Sequence, residues 1–142
     1  MNLEEQKQFI LSGKMYNDLT EELVTARENT VFLTNEYNAS FGRPSGEREA
    51  ILRRLLKSVG TGVHFEPNFR CEFGYNISIG NNFYANFDCI MLDGGGIEIG
   101  DNTIIGSGSV ITKDIPANVI AAGVPCKVIR AITEEDKTGY QP

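Results

Sequence analysis

Apolar residues recur at helical spacing through the first sixty positions, and then the period changes. Leu3 to Leu11 reads as an amphipathic helix. A second helix follows Asp18, which with Glu21 three residues later resembles a capping pair. It carries Leu23, Ala26, Val31 and Phe32 at roughly helical spacing before polar residues break it at Asn35 and Asn38. A third is predicted from near Ser45 through Ile51, Leu52, Leu55, Leu56 and Val59, stopping at Gly60, where glycine suits a left-handed cap. Arg53, Arg54 and Lys57 crowd its last turns, which favours the helix electrostatically and reads as a solvated face.

Beyond Gly60 the rhythm differs. Asn76-Ile77-Ser78-Ile79-Gly80-Asn81-Asn82 returns as Gly96-Ile97-Glu98-Ile99-Gly100-Asp101-Asn102, an internal repeat. Steps of six from Phe73 reach Ile79, Ala85, Met91 and Ile97, and after a two-residue shift Ile99, Ile105, Ile111 and Ala117 continue. Thr103 and Ser109 sit four places after Ile99 and Ile105. A helix repeats every 3.6 residues and a flat strand every 2, so a period of six predicts three short strands per coil of a solenoid. The Gly-Asx-Asn clusters supply its corners. At about 18 residues per coil, residues 63 to 130 make a little under four coils, close to the minimum of about three such stacks need. The rival, an antiparallel sheet with glycine turns, would not hold a six-residue phase across corners. The expected layout is a helical segment over 1–60, a solenoid over 61–131 and an extension over 132–142.

Composition narrows the function classes. The chain has 142 residues, 13 basic against 19 acidic and a net charge of -6, which argues against a phosphate-lined nucleic-acid partner. No apolar run approaches the roughly 18 residues of a membrane span, and Met1-Asn2-Leu3-Glu4-Glu5 lacks the basic start of a signal peptide, so a cytoplasmic location is expected. Cys71, Cys89 and Cys126 form no Cys-x-x-Cys pair and read as small buried side chains in a reducing compartment. His64 is the only histidine, so no metal site is expected, and a γ-type carbonic anhydrase on the same solenoid, with several histidines around zinc, is implausible. Thr103 and Thr112 are too few for an ice-binding surface.

Gly13-Lys14-Met15-Tyr16, the block from Ile77 to Phe87, and Lys113-Asp114-Ile115-Pro116 followed by Ala122-Gly123-Val124-Pro125-Cys126 together resemble the maltose and galactoside O-acetyltransferases, which are hexapeptide-repeat acyltransferases. The resemblance covers nearly the whole chain. It implies a left-handed parallel β-helix behind an N-terminal helical segment, assembled as a homotrimer. It also implies transfer of acetyl from acetyl-CoA to a sugar hydroxyl in a cleft between subunits. One departure stands out. The family's catalytic histidine lies in a segment downstream of the coil ending in Ile-Gly-Asp-Asn, and here Asn102 runs straight into Thr103-Ile104-Ile105-Gly106, which resembles a later coil. The same motif flanks both sides of that join, so an in-phase deletion describes it.

Acyl transfer to an alcohol needs a base for the hydroxyl proton and donors for the oxyanion. His64 lies where the resemblance marks no catalytic residue, and a hydrogen-bonded structural role is the favoured reading for it. Asp18, Asn86 and Asp93 match family positions that hydrogen-bond the sugar, and Glu72 matches one as a mismatch to serine. Equally, Asp18 reads as a helix cap, Asn86 as a corner and Asp93 as the head of a Gly94-Gly95-Gly96 turn. Tyr84 is a candidate to stack on a sugar face, although most of the aromatics between Phe65 and Phe87 read as core or subunit contact. Residues 66 to 101 hold six acids and one arginine, whereas 102 to 133 hold Lys113, Lys127 and Arg130 against Asp114 alone, so an anionic cofactor should prefer the second region. By resemblance Ser107, Thr112 and Lys113 line the pantetheine and phosphate path and Lys127, in place of an arginine, and Arg130 reach CoA phosphates; the alternative is a solvated rim. Two functions therefore remain open: a sugar O-acetyltransferase crippled by its missing histidine, and an inactive solenoid that binds CoA or serves only as a trimeric assembly module.

Overall fold

Asn2 starts the first helix in the computed structural model, which describes residues 1–137. Its side chain accepts from Glu5 N while Glu5 Oε2 accepts from Asn2 N, a reciprocal cap for α1 (Leu3–Leu11). α2 (Glu21–Asn38) is capped by Thr20 rather than by Asp18. α3 (Ser45–Leu55) ends short of Gly60, because Ser58–Val59 already forms β1, the first solenoid strand. Gly60 is not a left-handed cap. A β-carbon there would lie 2.7 Å from the carbonyl of Gly80 in the coil above, so glycine is required by close approach.

Three strands make each coil. β1, β2 (His64–Phe65) and β3 (Arg70–Cys71) form the first; β4 (Ile77–Ile79), β5 (Tyr84–Ala85) and β6 (Ile90–Met91) the second; β7 (Ile97–Ile99), β8 (Ile104–Ile105) and β9 (Val110–Ile111) the third. A partial fourth coil bridges Ile99 through Ile115 and adds β10 (Val119–Gly123), from which β11 (Cys126–Ala131) folds back antiparallel before α4 (Glu134–Lys137). The three sheets run β1-β4-β7, β3-β6-β9 and β2-β5-β8-β10-β11, parallel except for the last pair. The protein is thus a parallel β-helix of about three turns behind N-terminal helices. Corresponding residues in the first coils lie 20 apart rather than about 18, because a corner such as Gly74-Tyr75-Asn76 takes two extra residues. In the last coil the step falls to 16. There the six-residue rhythm fails: Ala117 is exposed and Ile115 is buried in its place. The C-terminal extension is described as far as residue 137, and the rest of 132–142 lies outside the described residues.

Columns of equivalent residues fill the prism. Phe65, Ala85, Ile105 and Ala121 form one, and Phe69, Cys89 and Ser109 another, so the aromatic bulk sits at the first coil. Asn82, Asn102 and Asn118 turn one corner with positive φ of 57°, 55° and 60° and link side chain to side chain at 3.1 and 3.0 Å. Coils touch at the column Gly60, Gly80 and Gly100, where a β-carbon on Gly100 would lie 2.6 Å from Ala117 Cα. Gly100→Ala is expected to cost about 1–3 kcal/mol, read as a lower unfolding midpoint in urea.

The first coil has no coil beneath it, and α2 closes that edge with polar groups. Asn38 accepts from Phe69 N at 2.9 Å and donates to Phe69 O at 3.0 Å; the Tyr37 hydroxyl accepts from Phe65 N; Thr30 donates to Phe73 O. This corrects the expected apolar face of α2. Asn38 ends the helix yet docks it, and Val31 and Phe32 are 50% and 69% exposed. No described helix is long and apolar enough to cross a membrane.

Candidate functional site

Two polar clusters form on the outside of the coils. The first gathers around Arg27 of α2. Its guanidinium pairs with the Asp18 carboxylate, donates to Asp18 O at 2.7 Å and reaches Glu72 Oε2 at 3.4 Å, while stacking on the Phe73 ring. Asp18 therefore sits ahead of the helix, tied to Arg27, rather than capping it. A β-carbon on Gly94 would lie 3.1 Å from Glu72 Oε1 and 3.5 Å from the Tyr16 hydroxyl, so Tyr16, Glu72 and Gly94 meet at one point. Burial first, and then the carboxylates of Asp18 and Glu72, push the Tyr16 phenol up. Arg27 had no sequence signal, since one arginine in an amphipathic helix is unremarkable. Tyr16 ends the Gly13-Lys14-Met15-Tyr16 string, where nothing in the local pattern points to Glu72.

Asp93 lies under this corner and is fully buried. Its Oδ1 accepts from Phe73 N at 2.8 Å and its Oδ2 from Gly74 N at 2.8 Å and Asn76 N at 3.3 Å. It holds the corner of the coil below, and its oxygens are spent there. Asn86 is half-buried and tied through its amide nitrogen, Nδ2 donating to Ile105 O at 2.9 Å.

The second cluster lies on the outer face of β2 and β5. His64 Nε2 is 2.8 Å from Glu66 Oε1, and Nδ1 is 3.2 Å from Arg48 Nη1. A carboxylate only accepts and a guanidinium only donates, so the ring carries its proton on Nε2 and its lone pair on Nδ1 faces Arg48. Tyr84 stacks on the imidazole with 5.6 Å between centroids and donates to Glu66 Oε1 at 3.1 Å. Tyr84 thus turns its ring to His64. The His64-x-Glu66 alternation, with buried Phe65 between them and Glu66 directly after β2, was a legible signal for that pair.

The cofactor candidates fall on two edges. Ser107 lies in the corner against which the β10–β11 turn packs, Gly123 N donating to Ser109 Oγ at 3.1 Å, and Lys127 follows that turn. Thr112 and Lys113 stand one strand further on, one coil above Leu92 and Asp93. All four are exposed. Arg130 is committed instead, in a two-pronged pair with Asp136 at 2.7 Å for both contacts, which holds the Asp136 carboxyl well below the usual range. The expectation that Arg130 reaches phosphate requires that pair to open. Among the described residues no group of three or more histidine, cysteine or acidic side chains could hold a metal.

Residues 10–60 match the maltose acetyltransferase hexapeptide capping motif. The chain is 31% identical to galactoside O-acetyltransferase of Escherichia coli (strain K12) over 185 aligned positions, covering 92% of this chain and 91% of that protein. Since this chain has 142 residues, that relative carries residues inside the matched region with no counterpart here. Among solved structures, a galactoside acetyltransferase in complex with coenzyme A superposes with a TM-score of 0.64 at 29% identity, over 100% of this chain and 96% of that one. A maltose O-acetyltransferase from Clostridium difficile 630 gives 0.65 at 34% identity, over 94% and 98%.

Proposed function

Because the chain belongs to the hexapeptide-repeat acetyltransferases of the maltose and galactoside type, we propose that it binds coenzyme A and a sugar and that its acetyl transfer is very slow or absent. Acetyl-CoA supplies an activated acetyl thioester. Transfer breaks its C–S bond and forms a C–O bond to the acceptor. The hydroxyl proton must leave to a base, and CoA departs as the thiol. In this reading Ser107, Thr112, Lys113 and Lys127 hold CoA, while Asp18 and Glu72, with Arg27 and Tyr16, present acceptors and donors to sugar hydroxyls.

One observation carries the low activity: the only histidine of the chain has both ring nitrogens engaged, by Glu66 and Arg48, and one face covered by Tyr84. A ring so held offers no lone pair to a hydroxyl. A positioned base contributes about 10² to 10⁴ in rate, and that factor is the expected shortfall. Thiol release from acetyl-CoA with maltose, glucose and galactosides, run beside the E. coli galactoside enzyme, tests it. CoA binding by calorimetry without thiol release above background is the expected result. Turnover comparable with the relative overturns it, and failure to bind CoA points to an assembly module alone. The proposed unit is a homotrimer with acceptor and CoA sides meeting between copies; light scattering at the mass of one chain would count against that.

A further inference from the structure

Arg48 of α3 spends each of its three guanidinium nitrogens on a different element. Nε donates to Ser40 Oγ at 3.2 Å in the elbow 39–44 between α2 and α3, Nη2 to the Tyr37 hydroxyl of α2 at 3.2 Å, and Nη1 to His64 Nδ1 of β2 at 3.2 Å. The guanidinium also lies 4.1 Å over the Phe41 ring, which meets the imidazole edge-on with 5.6 Å between centroids. Of the three acceptors, the two hydroxyls are indifferent to mild acid and the imidazole is not. Histidine is the side chain whose charge changes between about pH 5 and 8. With Nε2–H already given to Glu66, a second proton must go on Nδ1, and the side chain is 32% exposed, so water delivers it. Two positive donors would then face each other with no acceptor between them. The contact to Glu66 becomes charge-assisted at the same moment, so the ring stays and Arg48 is the side chain that leaves. The other titratable groups around the pair are Glu66 itself, Tyr37 and Tyr84, whose phenols burial pushes up, and on α3 Glu47 and Glu49, which are paired with Arg43 and Arg53 at 3.0 and 3.6 Å.

We infer that His64 is a pH-sensitive pin for the α2–α3 elbow: the neutral ring holds Arg48 against the first coil, and the protonated ring releases Arg48, Phe41 and the first turn of α3 from it. The rest of α3 stays, because Ile51, Leu52 and Leu55 are buried in the core. The dock of α2 stays as well, since the Tyr37 hydroxyl keeps Phe65 N and Asn38 keeps Phe69. The moving element is therefore the elbow and one helical turn, with a single charge deciding between its two positions. The inference stands apart from the acetyl-transfer reading, whose acceptor and cofactor residues it does not use.

NMR on the full chain tests it, with His64 supplying the only imidazole signals. At pH 8 long-range proton–nitrogen spectra should show Nε2 protonated and Nδ1 bare. Between pH 8 and 5 the amides of 39–48 should shift with the same midpoint as the ring. Their exchange protection, corrected for the intrinsic rate, should fall ten-fold or more relative to that of Ile97–Ile99. His64→Gln, which keeps a polar side chain but cannot ionise, should lose this response. Asp93, whose carboxyl burial raises, remains in that variant, so a response belonging to it would persist there. Arg48→Met supplies a second reading: its ring should still titrate while the elbow no longer follows. Elbow amides that stay put as the ring titrates, a ring that takes no second proton above pH 5, a proton on Nδ1 at pH 8, or a response at 39–48 that survives in either variant overturns the pin.

Discussion

Phe65→Ala should lower the unfolding free energy by about 3–5 kcal/mol, with a fall of roughly 10 °C in melting temperature. Phe65 has no exposed surface, and its ring stacks on Phe69 at 3.9 Å between centroids and packs on Phe83 at 5.0 Å and Tyr37 at 6.1 Å. The void would persist, because the residue directly above is Ala85 and the coil ladder fixes the backbone on either side. The same position anchors α2, since Phe65 N donates to the Tyr37 hydroxyl at 3.0 Å. Removing the ring therefore loosens both the base of the prism and the helix that closes it. Phe65→Leu should cost clearly less. Urea titration of the two variants checks the order, and a loss below about 1 kcal/mol for alanine would mean that the first coil repacks freely.

Asp93→Asn is expected to cost about 2–4 kcal/mol although it changes shape very little. Three backbone N–H groups converge on the two carboxylate oxygens, and an amide presents only one oxygen. At least one buried N–H would then face another donor. Burial pushes the Asp93 carboxyl above the ordinary range, outweighing the N–H groups of Phe73, Asn76 and Gly74 that pull it down. The native chain thus keeps this proton at pH values where the unfolded chain has released it. The stability linked to this group is fully present below the unfolded value near 3.8 and is lost as pH rises through the higher folded value. The wild-type advantage over Asp93→Asn should accordingly widen as pH falls from 7 toward 4. Chemical denaturation at several pH values reads this directly, and an advantage that shrinks on acidification would contradict it.

Much of the candidate site was legible as residue types and little of it as geometry. Asp18 and Glu72 come together, but the arginine between them lies on another element and no local spacing announces it. Asp93 read equally as a ligand for hydroxyls and as the head of a glycine turn, and its carboxylate braces the backbone of the coil beneath it. Lys127 keeps its exposure while Arg130 is held by Asp136, a contact only the return of α4 creates.

The period of six, the Gly-Asx-Asn corners and the inward columns were written in the chain itself, because a solenoid builds its core from near neighbours and every coil repeats the same local choice. Tertiary structure decided what happens where the repetition stops. Asn38, Tyr37 and Thr30 become the cap of the first coil, Gly60 yields to the coil above it, and the last coil shortens so that Ile115 replaces Ala117. Unpaired backbone at a free edge must find partners wherever the rest of the chain can bring them. That search is non-local, so apolar periodicity carries no trace of its outcome.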